Sequence, residues 1–279
     1  SGSISVLLNS GNSSFAAHVD CLVGGTYPYG IAVADFNNDG KIDIATANDG
    51  SNTVSVLLGL GNGSFAAHVD YASDSGTYQL AVTDLNNDGK IDIVTANYNA
   101  GTISILLGIG NGIFAAHVDY NVGNTPWAIS TADFNNDGKV DISTVNRGSN
   151  DISILLANGD GTFAPHINYA LTNNPWRMFI SDLNNDGKID IIVANALTNN
   201  ISILLGNGNG TFQGEVTYSV GNGPQGIISS DLNQDGKPDI VVSNNNVNTI
   251  SVLLNIAPLP TIFNLSGPTY YNVGTGAWR

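Results

Sequence analysis

The sequence is built from a repeat of 49 residues. Five nine-residue segments share the pattern D-x-N-x-D-G-K-x-D, and each begins 49 residues after the previous one. These segments are residues 35–43, 84–92, 133–141, 182–190 and 231–239. A fixed period of this length is typical of proteins in which each unit packs against its neighbours, and it is too long for leucine-rich or ankyrin repeats.

Within one period the hydrophobic pattern predicts four short strands separated by turn residues. In the first full unit these strands are expected at residues 30–35, 42–47, 54–58 and 65–71. A single four-stranded meander cannot bury both of its faces, whereas sheets repeated radially pack on one another. The predicted fold class is therefore all-β, a β-propeller of four-stranded antiparallel blades.

The repeat also defines the predicted domain boundaries. Residues 29–254 hold five full repeats, residues 1–28 correspond to the third and fourth strands of a further blade, and residues 255–279 form a divergent tail that begins another repeat. Two interpretations remain open. The ends either meet to form one defective closing blade, or the chain is a segment of a longer array. The total of six or seven blades is therefore not decided by the sequence.

The nine-residue segments are predicted calcium loops. Calcium takes six to eight oxygen ligands, and alternate residues of a short loop can supply them. Side chains at positions 1, 3, 5 and 9 and the carbonyl at position 7 would bind, while the glycine at position 6 permits the bend. The predicted ligands are Asp35, Asn37, Asp39, Lys41, Asp43, Asp84, Asn86, Asp88, Lys90, Asp92, Asp133, Asn135, Asp137, Lys139, Asp141, Asp182, Asn184, Asp186, Lys188, Asp190, Asp231, Asn233, Asp235, Lys237 and Asp239. About five Ca²⁺ ions are expected, one for each loop.

Composition narrows the classes of partner. With 8 Lys and Arg against 23 Asp and Glu, the formal charge is -15, so nucleic acid is not an expected partner. No segment approaches the roughly 18 apolar residues of a membrane span, and no membrane insertion is predicted. Cys21 is the single cysteine, so calcium rather than a disulfide is expected to stabilise the fold.

Residues 29–254 resemble the FG-GAP (VCBS-type) repeats of integrin α-subunit β-propellers and of secreted propellers that include fungal lectins. The acidic loops are the most specific part of this resemblance. The Gly-Ala-Pro stretch of the family is weak, because residues such as Ala47 and Asn48 replace it. The resemblance implies a calcium-binding propeller that is secreted or on the cell surface and acts in adhesion or recognition.

Aromatic residues occur six positions before four of the loops, and the fifth copy has Gln225. The resemblance places them on the face opposite the calcium loops, where related propellers hold their ligands. Aromatic rings beside amide groups suit the apolar faces and hydroxyl edges of sugars. The candidate ligand-binding residues are Tyr29, Tyr78, Trp127, Trp176, Asn48, Asn97, Asn146 and Asn195. The other interpretation, that the rings fill a central channel as packing, remains open.

The leading hypothesis is a calcium-stabilised propeller that binds carbohydrate or an extracellular protein. The alternative is a structural subunit that self-assembles through its incomplete terminal blades into an extracellular fibre or sheath. No enzymatic function is predicted, because five near-equal blades argue against one specialised catalytic site. Predicted N-glycosylation sequons begin at Asn12, Asn62, Asn200, Asn209 and Asn264.

Overall fold

The computed structural model describes residues 2–172, 174–257 and 263–274, and these residues form β-strands and loops without a helix. Consequently no helix of these ranges could cross a membrane. Two compact units are distinguished, Ser1–Ile129 with Gly159–Thr162, and Ser130–Asn158 with Phe163–Arg279. The end of the tail that was predicted to begin another repeat, residues 275–279, lies outside the described residues.

The first unit contains two four-stranded sheets and three two-stranded ones. The two-stranded sheets pair β1 (Gly2–Val6) with β4 (Val19–Val23), β2 (Asn9–Gly11) with β3 (Ser14–Phe15), and β12 (Gly108–Gly110) with β13 (Ile113–Phe114). The first four-stranded sheet consists of β5 (Pro28–Ala34), β6 (Asp43–Asn48), β7 (Thr53–Leu57) and β8 (Val69–Ala72). The second consists of β9 (Thr77–Thr83), β10 (Asp92–Asn97), β11 (Thr102–Leu106) and β14 (Val118–Asn121).

Three further sheets keep the same strand order from first to fourth. The third sheet contains β15 (Pro126–Ala132), β16 (Asp141–Asn146), β17 (Asp151–Leu155) and β18 (Ile167–Ala170). The fourth contains β19 (Pro175–Ser181), β20 (Asp190–Asn195), β21 (Asn200–Leu204) and β22 (Val216–Ser219). The fifth contains β23 (Pro224–Ser230), β24 (Asp239–Asn244), β25 (Thr249–Leu253) and β26 (Thr269–Asn272). Because β26 lies beyond residue 254, the predicted tail supplies the fourth strand of the fifth sheet.

Strand sequence and burial agree in each repeat. The second strand carries apolar residues on both faces and is buried over its whole length in β6, β10, β16 and β20. The fourth strand is mostly exposed, as in β8. A turn joins the second strand to the third and places Asn52 at a φ of 54°, in the left-handed region that asparagine tolerates better than most residues. The equivalent residues Asn150, Asn199 and Asn248 have the same sign of φ.

The hydrophobic core lies between successive sheets. In the first unit, Val54 and Val56 of the first sheet form one cluster with Leu80 and Ile93 of the second. In the second unit, an equivalent cluster contains Ile192 and Ile203 of the fourth sheet with Ile227 and Ile240 of the fifth. Burial of each such side chain contributes about 1.5 to 3 kcal/mol. Each sheet therefore depends on its neighbour, as expected for a repeat that cannot bury its faces alone.

Candidate functional site

Each acidic loop joins the first strand of a four-stranded sheet to the second. In the loop between β5 and β6, the Asp35 carboxylate accepts backbone N–H groups from Asp39 at 3.0 Å and Gly40 at 2.7 Å. Asn38 and Gly40 have φ values of 57° and 79°, which asparagine and glycine tolerate. The same carboxylate bonds recur in the other four loops. The repeated pattern therefore encodes a closed acidic turn.

The last aspartate of each loop is buried and hydrogen-bonds two separate backbone segments, an arrangement that we call the clamp. Asp43 is fully buried, and its two carboxylate oxygens accept N–H groups from Phe36 at 2.8 Å and Gly59 at 2.7 Å. Gly59 follows the third strand, so one carboxylate ties two separate segments together. The residues with the same pair of bonds are Asp92, Asp141, Asp190 and Asp239. Sequence reasoning assigns these aspartates to a metal and misses the second bond, because its partner lies 16 residues away.

The loops concentrate negative charge around this buried carboxylate. Burial, with a smaller contribution from the charges of Asp88 and Asp84, raises the pKa of Asp92 to about 6. Burial also raises the pKa of Asp190 to about 6. The Lys90 ammonium lies 2.8 Å from Asp88 and lowers the pKa of that carboxyl. The position-7 lysine forms this pair in every loop, at 2.8 to 3.6 Å. One lysine for three aspartates leaves charge that a divalent cation would neutralise.

The donor chemistry of the loops fits calcium. All the predicted ligand atoms are carboxylate, amide or carbonyl oxygens, which are the donors that Ca²⁺ prefers. Within the described ranges, no group of three or more His, Cys, Asp or Glu side chains is arranged to hold a metal ion. The carboxylates bind backbone amides and lysines. Calcium binding at the five loops therefore stays a prediction of the sequence.

Three of the predicted ligand residues form a stack of rings in the first unit. Tyr29, Tyr78 and Trp127 are each the second residue of the first strand of their sheet. Centroids of the Tyr29 and Tyr78 rings are 4.6 Å apart, and those of Tyr78 and Trp127 are 4.2 Å apart. Tyr98 packs edge-on against Trp127 at 5.8 Å. We call these four residues the aromatic ladder. Tyr29 is 58% exposed, so this end of the ladder is open to solvent.

The fourth predicted aromatic residue, Trp176, belongs to the second unit and has a different neighbour. The guanidinium carbon of Arg147 lies 4.3 Å from the centroid of its ring, which is a cation–π distance. Sequence reasoning did not select Arg147. The signal that could have found it is a break in the repeat, since the equivalent residues are Asp49 and Tyr98 in the two preceding repeats.

Four asparagines predicted to face a ligand lie inside the sheets. Asn48 is fully buried, and its side-chain amide donates to Thr53 Oγ1 at 3.2 Å and Ser55 Oγ at 2.8 Å. The other three are fully buried and donate to the equivalent serine of the third strand; they are Asn97, Asn146 and Asn195. A ligand cannot reach these side chains. Their predicted role is therefore corrected, because they join the second strand to the third.

The sequon asparagines differ in accessibility. Four are exposed, namely Asn12, Asn62, Asn209 and Asn264. Asn200 is half-buried in β21, and its Oδ1 accepts a hydrogen bond from Asn195 Nδ2 at 2.8 Å. A glycan on Asn200 would have to break this bond. Glycosylation at the four exposed positions stays a prediction.

The fold is shared with solved β-propellers. The chain is similar to a lectin of Agrocybe aegerita that recognises non-reducing terminal N-acetylglucosamine, with a TM-score of 0.64 and 21% identity over 95% of this chain and 73% of that one. It is also similar to a putative 6-phosphogluconolactonase of Bacteroides uniformis, with a TM-score of 0.69 and 17% identity over 97% and 79% of the two chains. A catalytically inactive virginiamycin B lyase of Staphylococcus aureus gives a TM-score of 0.60 and 18% identity over 98% and 75%. These similarities confirm the predicted class, a β-propeller.

The FG-GAP-like repeat family matches the sequence in five overlapping segments, residues 1–46, 35–95, 84–144, 133–193 and 182–242. The chain therefore belongs to the FG-GAP-like repeat family, and the resemblance inferred from the acidic loops is confirmed. No curated protein matches the sequence.

The prediction that the chain is not an enzyme is wrong, because propellers of similar fold include enzymes. Propellers of similar structure include the lyase, the putative 6-phosphogluconolactonase and a periplasmic gluconolactonase of Pseudomonas aeruginosa. The prediction rested on the near-equality of the five blades. A ring of similar blades can nevertheless carry one specialised site, and Arg147 shows that these repeats are not all alike.

Proposed function

We propose that this protein is a calcium-stabilised extracellular β-propeller that binds glycans at the aromatic ladder. The observation that carries the proposal is the stack of Tyr29, Tyr78 and Trp127, with ring centroids 4.2 to 4.6 Å apart and an exposed end at Tyr29. An exposed ring at the end of a stack offers a flat apolar surface on which the C–H face of a sugar can lie. The lectin of similar fold supports this class of ligand.

The ladder also holds the exposed ring in place. Tyr78 packs against Tyr29 on one side and against Trp127 on the other, and Tyr98 supports Trp127 from its edge. A ring fixed in this way loses little side-chain entropy when a ligand binds. The half-buried members of the ladder therefore act as support, and Tyr29 is the member that we expect a sugar to touch.

The proposal is tested by replacing the exposed ring. Tyr29→Ala should weaken binding of oligosaccharides ending in N-acetylglucosamine by about two- to twelvefold, because a contact with an aromatic ring is worth roughly 0.5 to 1.5 kcal/mol. Isothermal titration calorimetry in calcium would measure it. Tyr270→Ala is the matched control, since Tyr270 is 53% exposed and lies on β26 outside the ladder. Equal affinities of the wild type and Tyr29→Ala would contradict the proposal, as would binding of an extracellular protein but of no sugar.

A second candidate, self-assembly into a fibre or sheath, is favoured by the sheet of β1 and β4. Within the described ranges β1 pairs only with β4, and this two-stranded sheet exposes Val19 and Leu22, the latter at 65%. Exposed strand edges and apolar side chains invite pairing with another chain. Electron micrographs of the purified protein in calcium would decide between filaments and discrete particles.

A further inference from the structure

Two arginines stand at positions where the other repeats have different residues. The described residues include two arginines, Arg147 and Arg177. The residues equivalent to Arg147 in the other repeats are Asp49, Tyr98, Ala196 and Asn245, and those equivalent to Arg177 are Gly30, Gln79, Ala128 and Gly226. The five lysines lie in the acidic loops, and each pairs with an aspartate there. The positive charge outside the loops is therefore concentrated in the third and fourth repeats of the described chain.

One arginine packs on the indole ring of Trp176, and the other is the next residue in the chain. Arg147 lies in the turn between β16 and β17, with its guanidinium carbon 4.3 Å from the centroid of the Trp176 ring. Its Nε donates to Asn174 Oδ1 at 3.4 Å, which helps to fix the plane of the guanidinium. Arg177 follows Trp176 directly in β19. Arg147 of the third repeat therefore packs on Trp176 of the fourth, within the second unit, and Arg177 lies next to Trp176 in the chain.

A cavity of about 430 Å³ opens at this location. Trp176, Arg177 and Met178 of β19 line it together with Gln225, Gly226 and Ile227 of β23. None of these described lining residues is acidic. Gly226 is exposed and has no side chain to narrow the opening. The volume lies within the range of small-molecule sites.

We propose that the pocket lined by Trp176, Arg177 and Gln225, with Arg147 packed against the Trp176 ring, binds an acidic sugar, a pyranose ring that carries a carboxylate or a sulfate. The inference deepens the proposed glycan function and rests on it. The pyranose ring packs against the part of the indole that lines the pocket, and the guanidinium groups donate charge-assisted hydrogen bonds to the anionic substituent. The Gln225 amide offers both a donor and an acceptor to the hydroxyl groups.

The net charge of the protein makes such a site selective. The formal charge is -15 without calcium and would be about -5 with the five expected Ca²⁺ ions bound, so an acidic ligand is favoured where positive side chains lie close to it. Arg177 supplies that charge in the pocket, and Arg147 supplies it at the Trp176 ring. Neutral sugars do not require nearby positive charge and can therefore also bind at the aromatic ladder.

The test compares ligands that differ only in their charge. Tetragalacturonic acid is compared with its methyl ester, and sulfated N-acetylglucosamine with the unsulfated sugar, by calorimetry in calcium. We expect at least one acidic member to bind about tenfold more tightly than its neutral partner. The two pairs distinguish a carboxylate from a sulfate as the recognised group. Added salt should reduce the preference, because it screens the ion pairs.

The site is located with variants in which each arginine is replaced by the residue that stands at the equivalent position of another repeat. Arg177→Gln installs the residue that stands at Gln79, and Arg147→Tyr installs the residue that stands at Tyr98, so the fold accepts both side chains at equivalent positions. Each should abolish most of the preference for the acidic ligand. Gln213→Glu makes the same change in net charge at an exposed position outside the pocket, and it should keep the preference.

The outcomes separate this inference from the proposed function. If each neutral sugar binds as tightly as its acidic partner, the inference is overturned while glycan binding at the ladder stands. The inference also fails if the arginine variants lose acidic and neutral ligands equally, since the arginines then act in packing. If no sugar binds, including those ending in N-acetylglucosamine, the proposed function fails and the inference fails with it.

Discussion

At the scale of single residues, the third residue after each acidic loop decides whether a buried asparagine is satisfied. In the third repeat, Thr144 Oγ1 donates to Asn146 Oδ1 at 2.9 Å. Val193 stands at the equivalent position of the fourth repeat, and Asn195 Oδ1 is buried without a hydrogen-bond partner among the described residues. An unsatisfied buried acceptor costs about 1 to 3 kcal/mol. The residue at this position, threonine in three repeats and valine in two, therefore has a structural role.

Substitutions at this position test the role of the threonine hydroxyl. Val193→Thr is nearly isosteric, and its hydroxyl can donate to Asn195, so we expect it to raise the free energy of unfolding by about 1 kcal/mol. Thr144→Val should lower it by a similar amount for the converse reason. Val94→Thr is the control, because it buries the same hydroxyl on the face of β10 opposite to that of Asn97, and it should destabilise the protein. Urea midpoints measure all three, and an unchanged or lower midpoint for Val193→Thr would refute the argument.

At the scale of structural elements, the acidic loop has two separable functions. Asp92 is buried and clamps the loop between β9 and β10 to Gly108 at 2.7 Å, whereas Asp88 is more accessible and pairs with Lys90. The sequence gives both aspartates the same role, that of a calcium ligand. A repeated pattern reveals which residues are needed in each unit, but the clamp is a contact with a distant segment and becomes apparent only in the fold.

The two roles are expected to separate on removal of calcium. Asp92→Ala leaves the N–H groups of Leu85 and Gly108 buried without their acceptor, at about 1 to 3 kcal/mol each, so it should destabilise the protein in calcium and in EDTA alike. Asp88→Ala should destabilise it in calcium and have little effect in EDTA. Thermal unfolding of both variants in the two buffers checks this. If Asp92→Ala had no effect on stability in EDTA, the hydrogen bonds of Asp92 would not stabilise the fold in the absence of metal.

At the scale of the whole molecule, the period of 49 residues was sufficient to predict the propeller, and the loop pattern was sufficient to predict the family. What the sequence could not predict depends on packing between segments. The burial of Asn48 reverses its predicted contact with a ligand, and the fourth strand of the fifth sheet comes from a segment that the pattern had assigned to another repeat. The pattern is defined by what the five units share. It therefore does not identify residues that occur in one unit only, such as Arg147 and Arg177.

The proposed calcium sites also act at this scale, and removal of calcium tests them. An extracellular calcium site with a Kd near 0.1 mM contributes roughly 1.8 kcal/mol at about 2 mM calcium. Five independent sites in a chain of 279 residues would then raise the melting temperature by about ten degrees or more. We therefore expect EDTA to lower the melting temperature by that amount and excess calcium to restore it. Magnesium, which requires a smaller octahedral site, should restore much less. A melting curve unchanged by EDTA would mean that the amide and lysine bonds close the loops without any metal.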